Sequence, residues 1–234
     1  KGIEAFNSLT KLDCSDNQLT NLDLSQNTAI ENLDCSYNEI SSLDLSKNTF
    51  LTDLDCYGNF LKKLNINGCT ALTKLWCMEN YLTSLNVIKN TSLKELWCSG
   101  NKLTSLDVSN NTALTNLYCY NNQLTSLDVR NGNNINMYFT NFTGNYNLYC
   151  IDVDNAAYST ANWGNVDPWA SFSNNCQQGV FGCTDSTNVN SAGAIMHSDI
   201  PDSDTGFVVR SGSATYDIDA TDYIQTGANT LSDS

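Results

Sequence analysis

The sequence predicts a β-rich repeat solenoid, in which short stretches of chain coil around one continuous apolar core. The first observation is a strict 21-residue period, and the second is a block of the form L-x-x-L-x-C-x-x-N-x-L that recurs with it. Self-similarity at a fixed period of this length is the signature of stacked units that bury a shared core. The period is marked by six cysteines: Cys14, Cys35, Cys56, Cys77, Cys98 and Cys119.

Each repeat contains two short apolar segments. The first carries the Leu and Cys positions of the block, and the second has the form seen at Leu22-Asp23-Leu24. Alternation of apolar and polar residues is the period of a β-strand, so each coil can offer two short parallel strands to its neighbours. We therefore predict six repeats over residues 9–134.

The repeated cysteines and asparagines are predicted to be structural. Each cysteine takes a slot that Leu fills in other blocks, and free Cys is among the most buried residue types. The Cα–Cβ bonds of cysteines in successive coils point in parallel, which is a poor geometry for disulfides. The cysteines also lie in a line, whereas a tetrahedral metal site needs converging ligands. Asparagines at fixed turn positions can bond the backbone of adjoining coils. The first such series follows the first strand of each coil, and the second follows the second segment; their members are Asn17, Asn38, Asn59, Asn80, Asn101 and Asn122, and Asn27, Asn48, Asn90 and Asn111. Cys69 replaces the asparagine of the second series in the third coil, where we therefore expect a local irregularity.

Regular repetition ends after the sixth coil. Ile135 falls where a seventh coil should open, but Tyr138, Phe139 and Phe142 then replace the Leu and Cys pattern. Terminal coils must cover an exposed core. We therefore predict a degenerate terminal repeat and a C-terminal cap over residues 135–176.

The repeats resemble the leucine-rich repeats of secreted and surface proteins of the Bacteroidetes, in particular those of flavobacterial type. Residues 147–176 carry the N-L-x-C-I-x-V-D and A-Y-S-T-A-N-W segments and the final Cys that close the solenoid in such proteins. Residues 1–8 resemble the end of their N-terminal cap, most of which would then be missing. The resemblance implies a leucine-rich-repeat ribbon of short parallel strands in a secreted or cell-surface protein. It also implies a disulfide between Cys150 and Cys176, to which two buried thiols are the alternative.

Residues 177–234 form an acidic tail, rich in Gly, Ser, Thr and Asp, that we predict to be irregular or β-like and partly ordered. Cys183 could pair with Cys69, with another chain or with nothing. The run of Asp199, Asp202 and Asp204 is a candidate for calcium, although it lacks the spacing and distal Glu of an EF-hand. A solvated acidic loop is the alternative, and we predict no other cofactor.

Charge and motifs exclude several function classes. A net charge of −14 with only 11 Lys and Arg residues offers no cationic surface for nucleic acid. No apolar run is long enough to span a membrane, so membrane insertion is not expected. The single His197 has no catalytic context, and the sequence carries no nucleophile elbow or phosphate loop. We therefore predict that the protein is not an enzyme.

The outward position between the second Leu and the Cys changes character along the repeats. Its occupants are Asp13, Asp34, Asp55, Trp76, Trp97 and Tyr118. Exposed aromatic side chains are typical anchors of interfaces. The predicted ligand-binding face therefore comprises Trp76, Trp97, Tyr118, Tyr57, Met78, Tyr81, Tyr120 and Asp55. The alternative is that the aromatic residues stack only to stiffen the ribbon.

The sequence thus predicts an extracellular binding or adhesion module that recognises a protein or a surface glycan through this aromatic-rich face. One alternative is a structural component that self-associates into a surface fibre or layer. A further alternative is a glycan-active enzyme that uses the Asp13, Asp34 and Asp55 series as a carboxylate pair.

Overall fold

The computed structural model describes residues 2–176, 207–211 and 214–218. The chain divides into two compact units, residues 1–176 and residues 177–234. Within the described residues, no helix is long and apolar enough to cross a membrane.

The first unit is a β-solenoid of about eight turns, built from parallel strands of three residues each. The strands are β1 (Lys11–Asp13), β2 (Asn32–Asp34), β3 (Ser42–Asp44), β4 (Asp53–Asp55), β5 (Lys63–Asn65), β6 (Lys74–Trp76), β7 (Glu95–Trp97), β8 (Ser105–Asp107), β9 (Asn116–Tyr118), β10 (Ser126–Asp128), β11 (Phe139–Asn141), β12 (Cys150–Asp152) and β13 (Ser171–Ser173). Its helical segments are the 3₁₀ turns Ile3–Ala5 and Asn134–Asn136 and the helix α1 (Ala156–Asn162).

Two ribbons of strands run along the solenoid. The larger sheet has seven strands in the order β1-β2-β4-β6-β7-β9-β11. The second ribbon is interrupted, because β3 pairs with β5, β8 begins a separate four-stranded sheet with β10, β12 and β13, and residues 84–86 between them form no strand. The predicted two strands per coil are therefore present in most coils but not in all.

Register in the larger sheet places identical positions of successive repeats side by side. Leu54, Leu75 and Leu96 are direct partners across β4, β6 and β7, and all three are buried. Side chains alternate between the two faces of a strand, so the Leu and Cys positions point inward together. This pattern confirms the predicted solenoid core.

The repeated cysteines lie in that core as free thiols. Five are fully buried, whereas Cys14 is partly exposed. Burial raises the pKa of the Cys14 thiol to about 11, and it also raises the pKa values of the fully buried Cys35 and Cys98. The thiols therefore remain protonated and pack as small apolar groups.

The first asparagine series joins consecutive coils through its amides. Asn80 Nδ2 donates to the carbonyl oxygens of Cys56 (3.0 Å) and Met78 (3.0 Å), and its Oδ1 accepts from Leu61 N (2.9 Å). The other members bond in the same way: Asn38, Asn59, Asn101 and Asn122. These bonds satisfy backbone groups that would otherwise be buried without partners.

The second asparagine series shows the irregularity expected in the third coil. Asn48 Nδ2 donates to two carbonyl oxygens, those of Leu24 (3.2 Å) and Asn27 (3.0 Å). Cys69 has one such bond, from Sγ to the Leu45 carbonyl (3.2 Å). The thiol replaces a two-donor amide with a single weak donor, so one inter-coil bond is lost.

The seventh coil begins two residues later than the 21-residue period predicts. Thr140 of β11 pairs with Leu117, which lies 23 residues earlier, and the 3₁₀ turn Asn134–Asn136 precedes the shifted strand. The expectation that Ile135 opens this coil is wrong, because Ile135 is 62% exposed and Met137 is buried instead. The inserted residues moved Ile135 out of the inward register.

The C-terminal end of the solenoid is covered by aromatic residues. The Trp163 ring packs edge-on against Phe142 (5.8 Å between centroids) and Phe172 (5.6 Å), and its indole N–H donates to the Met137 carbonyl. Asn155 begins α1 by accepting a hydrogen bond from Tyr158 N (3.0 Å), as an N-cap residue does. These contacts close the apolar interior.

A disulfide fastens this cap. Cys150 opens β12, and Cys176 follows β13, the strand that pairs with β12. Their Cα atoms lie 5.8 Å apart, and a disulfide bond joins their sulfur atoms. The predicted pairing is confirmed. Cross-linking a loop of this length removes freedom from the unfolded chain and stabilises the fold by about 3 kcal/mol.

Of the second unit, the structure describes an antiparallel pair of strands, β14 (Phe207–Ser211) and β15 (Ala214–Ile218). They lie in the tail that the sequence predicts to be irregular or β-like and partly ordered. Cys183, His197 and the calcium candidates Asp199, Asp202 and Asp204 lie outside the described residues.

Candidate functional site

Three aromatic side chains form a continuous stack on the outward face of the larger sheet. The rings of Trp76 and Trp97 are nearly parallel, with centroids 4.8 Å apart and an interplanar angle of 15°. Tyr118 meets Trp97 edge-on at 5.4 Å. The strand register sets this arrangement, because Trp76, Trp97 and Tyr118 are direct partners across β6, β7 and β9.

The two tryptophans are less exposed than their outward position in the repeat predicts. Both are only partly accessible to solvent, because each stacks on a neighbour at about the spacing of adjacent strands. The indole Nε1 atoms of Trp76 and Trp97 are buried and have no hydrogen-bond partner among the described residues. The stack therefore carries two unsatisfied polar groups.

The aspartates at this outward position in the first two coils form hydrogen bonds within their own coils. Asp13 Oδ1 accepts from the hydroxyl of Ser15 (2.7 Å), and Asp34 Oδ1 accepts from the hydroxyl of Ser36 (2.6 Å). The bond from Ser15 lowers the pKa of Asp13. These carboxylates hold the turn that follows their own strand.

Asp55 lies where the acidic series meets the aromatic series. It pairs with Trp76 across β4 and β6, and its Oδ1 accepts from Tyr57 N (3.0 Å). Burial raises its pKa, which the Tyr57 bond only partly offsets. Asp55 is therefore a half-buried carboxylate at the edge of the aromatic stack.

The change from Asp to Trp leaves a serine without an acceptor. Ser99 stands two residues after Trp97, just as Ser15 and Ser36 stand two residues after their aspartates. Ser99 is fully buried, and its Oγ has no partner among the described residues. An indole ring cannot accept the bond that a carboxylate accepts. The aromatic positions thus give up a local bond that the acidic positions keep.

The remaining predicted residues fall into two groups. Met78 and Tyr120 lie partly buried on the strand face, in the row that also holds Tyr57. Tyr57 meets the exposed Tyr37 ring edge-on at 4.8 Å, and a hydrogen bond with Tyr37 raises the pKa of Tyr57. We use "aromatic strand face" for Trp76, Trp97, Tyr118, Met78, Tyr120, Tyr57 and Asp55.

Tyr81, by contrast, lies in the turn that follows β6, and the other strands of the larger sheet are followed by equivalent turns. It faces Phe60 at 6.1 Å, and both rings are exposed. They border an open groove of about 370 Å³, which we call the turn-edge groove. Its lining includes Gly58, Phe60, Glu79, Tyr81, Gly100 and Lys102.

Sequence reasoning missed several exposed aromatic residues. Tyr37 is 52% exposed beside Tyr57, and Phe139 is 58% exposed at an outward position of β11. The two-residue shift before β11 hid Phe139 from the 21-residue alignment. On the cap, Tyr146 and Trp169 form an exposed pair with centroids 6.0 Å apart. A search for aromatic residues at polar positions of the repeat would have found Tyr37.

Metal ligation has no support in the described part of the chain. No group of three or more His, Cys, Asp or Glu side chains converges there in a way that could hold a metal ion.

Comparison with known proteins connects this fold to leucine-rich repeats. A family model described as leucine-rich repeats, in two copies, matches residues 91–136. No curated protein matches the sequence. The fold is that of leucine-rich-repeat proteins, with parallel strands stacked into a solenoid.

Solved structures of bacterial proteins share this fold. The functional domain of InlJ from Listeria monocytogenes is 35% identical with a TM-score of 0.58, and the match covers 65% of this chain and 36% of that one. That domain is described as including a cysteine ladder, a feature that this chain shares. A leucine-rich-repeat protein from Leptospira interrogans is 24% identical with a TM-score of 0.53, covering 73% of this chain and 44% of that one. One from Bacteroides eggerthii is 15% identical with a TM-score of 0.56, covering 70% and 31%. The chain therefore spans less than half the length of each.

Proposed function

We propose that this protein is a non-enzymatic extracellular binding module that recognises a protein ligand through the aromatic strand face. The observation that carries the proposal is the stack of Trp76, Trp97 and Tyr118 at positions where the preceding coils use aspartate. In the first coils this position holds an aspartate, which forms a hydrogen bond within its own coil, as Asp13 and Asp34 do. Its replacement in consecutive coils suggests a requirement other than folding.

Magnitudes argue against a purely structural stack. An aromatic pair contributes about 0.5–1.5 kcal/mol beyond the area it buries, so two pairs supply about 1–3 kcal/mol. A buried polar group without a partner costs about 1–3 kcal/mol. Three such groups accompany the stack, namely the two indole N–H groups and the Ser99 hydroxyl. The stack therefore offers the fold little or no net specific stabilisation.

The geometry favours a protein over a glycan. A sugar ring that binds an aromatic side chain needs an open ring face, whereas Trp76 and Trp97 each cover one face of the other and Tyr118 also packs against Trp97. Met78 and Tyr120, two residues beyond Trp76 and Tyr118, add a thioether and a phenol to the same face. Such mixed apolar and polar surfaces are typical of protein interfaces.

Localisation at the cell surface or outside the cell belongs to the same proposal. The Cys150–Cys176 disulfide supports it, because disulfides persist in oxidising compartments. The resemblance to secreted leucine-rich-repeat proteins of the Bacteroidetes points the same way.

The proposal is tested by screening the whole chain against arrays of extracellular proteins and of glycans. The double variant Trp76→Ala/Trp97→Ala should lose the protein ligand, with an affinity loss of at least about a hundredfold for a pair of interface anchors. Asp13→Ala/Asp34→Ala is the matched control, because it alters the same outward position in two other consecutive coils and should bind normally. Circular dichroism verifies that both variants fold. Full binding by a folded tryptophan variant would show that the stack is structural.

A second candidate function is self-assembly into a surface fibre or layer. The observation that favours it is the exposed aromatic surface of the C-terminal cap, which carries Tyr138, Tyr146 and Trp169. Small-angle X-ray scattering over a range of protein concentrations separates the two candidates. A binding module keeps a constant radius of gyration, whereas a fibre component elongates as concentration rises.

A further inference from the structure

The turn-edge groove lies outside the aromatic strand face and has a lining of its own. Phe60 and Tyr81 occupy the same turn position in consecutive coils, and their side chains are 49% and 43% exposed. Their rings are tilted by 36° and border the groove of about 370 Å³. Aromatic faces that remain open to solvent can attract a cation through the ring quadrupole.

The groove already shows this affinity within the chain itself. The ammonium of Lys102 lies over the Tyr81 ring, 5.1 Å from its centroid. No equivalent cation lies over the Phe60 ring among the described residues. The aromatic wall therefore accepts a positive charge at one ring and leaves the other ring open.

A carboxylate stands in the same groove. Glu79 lines it and forms no ion pair within residues 2–176. Its backbone has a φ of 48°, in the left-handed region that bulky residues rarely adopt. The carboxylate lies directly over Gly100 of the next coil, where an added Cβ would collide with it. The absent side chain of Gly100 thus creates the space that Glu79 fills.

The same arrangement occurs two coils earlier along the solenoid. Tyr37 also has a positive φ, of 52°, and a Cβ at Gly58 would lie 3.2 Å from its ring. Side chain and glycine therefore alternate along this turn position, with Tyr37 over Gly58 and Glu79 over Gly100. The packing over Gly100 holds Glu79, the acidic group of the groove, in place before any ligand binds, which reduces the entropic cost of binding.

Charge determines which ligand this set of groups suits. The protein carries a net charge of −14, and Lys102 is the one cationic residue that lines the groove. An unpaired carboxylate beside open aromatic faces complements a positively charged side chain. We propose that the turn-edge groove binds an arginine or lysine side chain of a basic peptide segment, with Glu79 as counter-ion, Phe60 as the ring under the cation and Lys102 as the resident cation that the ligand displaces from Tyr81. This inference rests on the proposed function, and it specifies the chemistry of a partner segment that binds beside the aromatic strand face.

The probe is the peptide Gly-Arg-Gly-Arg-Gly-amide with a fluorescent label on its N-terminal amine, titrated with the whole protein. Its control replaces both arginines by citrulline, which keeps the shape of the side chain and removes its charge. The arginine peptide should bind at least about tenfold more tightly than the citrulline peptide, as expected for a desolvated cation–π contact with a counter-ion. Its affinity should fall as salt concentration rises.

Variants of the groove give effects of opposite sign. Glu79→Gln and Phe60→Ala should each weaken arginine-peptide binding, by about tenfold and about fivefold. Lys102→Met should strengthen it several-fold, because the resident cation no longer competes. Asp16→Asn is the matched control, since it removes a carboxylate from the equivalent turn position of the first coil, and should leave binding unchanged.

Equal binding of the two peptides would overturn the proposal. So would a loss of binding in Lys102→Met, because that result would mean that the groove holds an anionic group. Trp76→Ala/Trp97→Ala should leave peptide binding intact while it removes the protein ligand of the aromatic strand face. The two hypotheses can therefore fail separately.

Discussion

The first three coils and the next three have the same repeated backbone arrangement, but their outward surfaces differ. In both halves the cysteines pack in the core and the asparagine amides join adjacent coils. At the outward position the first half places aspartates, which bond the turns of their own coils. The second half places aromatic residues, which stack on one another and leave Ser99 without an acceptor.

This difference separates the residues that determine the fold from those available for function. A solenoid is stabilised by contacts between neighbouring coils, so its interior must repeat, whereas its outward positions are free to vary. Where the outward residue also stabilises its own turn, as Asp34 does, a structural role explains it. Where the outward residue forms no such bond with its own turn, as at Trp97, a different explanation is required.

The largest expected effect tests whether the two halves share the same scaffold. Asn38→Ala in the acidic half and Asn101→Ala in the aromatic half each remove an amide that makes several bonds to buried backbone groups. Each variant should lose about 2–4 kcal/mol of unfolding free energy, because buried partners are left unsatisfied. Urea denaturation measures both. A loss below about 1 kcal/mol in one half only would mean that the ladder does not support the coils equally.

Thiol reactivity should next distinguish the first coil, where the repeated cysteine is partly exposed, from the coils of the aromatic half. Cys14 is partly exposed, although burial raises its pKa to about 11, whereas Cys98 is fully buried. In a Cys183→Ser background, iodoacetamide at pH 8.5 should modify Cys14 at least about a hundredfold faster than Cys98, which requires unfolding to react. Peptide mass mapping over time gives both rates. Comparable rates would show that the second half opens readily in solution.

Trp97→Asp restores the residue that the first three coils use, and it should change stability only slightly. The new carboxylate can accept from Ser99, as Asp34 accepts from Ser36. The gain should offset most of the lost stacking, so the unfolding free energy should stay within about 1 kcal/mol of the wild-type value. Denaturation curves test this expectation. A loss of more than 3 kcal/mol would assign the stack a structural role.

The smallest expected effect is a dependence of stability on pH that has opposite signs at Asp55 and Asp13. Burial raises the folded-state pKa of Asp55, so its ionisation costs stability as pH rises above the unfolded value of about 3.9. Asp55→Asn should therefore melt slightly higher than the wild type at pH 7, and the difference should vanish by about pH 3.

The Ser15 bond lowers the folded-state pKa of Asp13, so its contribution is present above the unfolded pKa and is lost as pH falls through the folded value. Asp13→Asn should melt slightly lower than the wild type at pH 7. Thermal melts between pH 3 and pH 7 measure both differences. Shifts of the same sign in the two variants would contradict this assignment of environments.

The core was predictable because every coil must bury the same Leu and Cys positions. Prediction failed where a local event changed the register or where neighbouring coils set the conformation. Two inserted residues moved Ile135 to the surface, and stacking reduced the exposure of Trp76. The left-handed backbone of Glu79 was not predicted, because the space for the Glu79 side chain is left by Gly100 in the next coil. Such dependence between coils is not visible in the residues of a single repeat.

The most direct test of the aromatic strand face is hydroxyl-radical footprinting of the whole protein with and without the protein ligand recovered from the array. Methionine and aromatic side chains are oxidised readily when they are exposed. We predict that bound ligand reduces the oxidation of Met78, Tyr118 and Tyr120 several-fold and leaves Tyr146 and Trp169 of the cap unchanged. Unchanged oxidation at Met78, Tyr118 and Tyr120, with protection confined to the cap, would contradict the account.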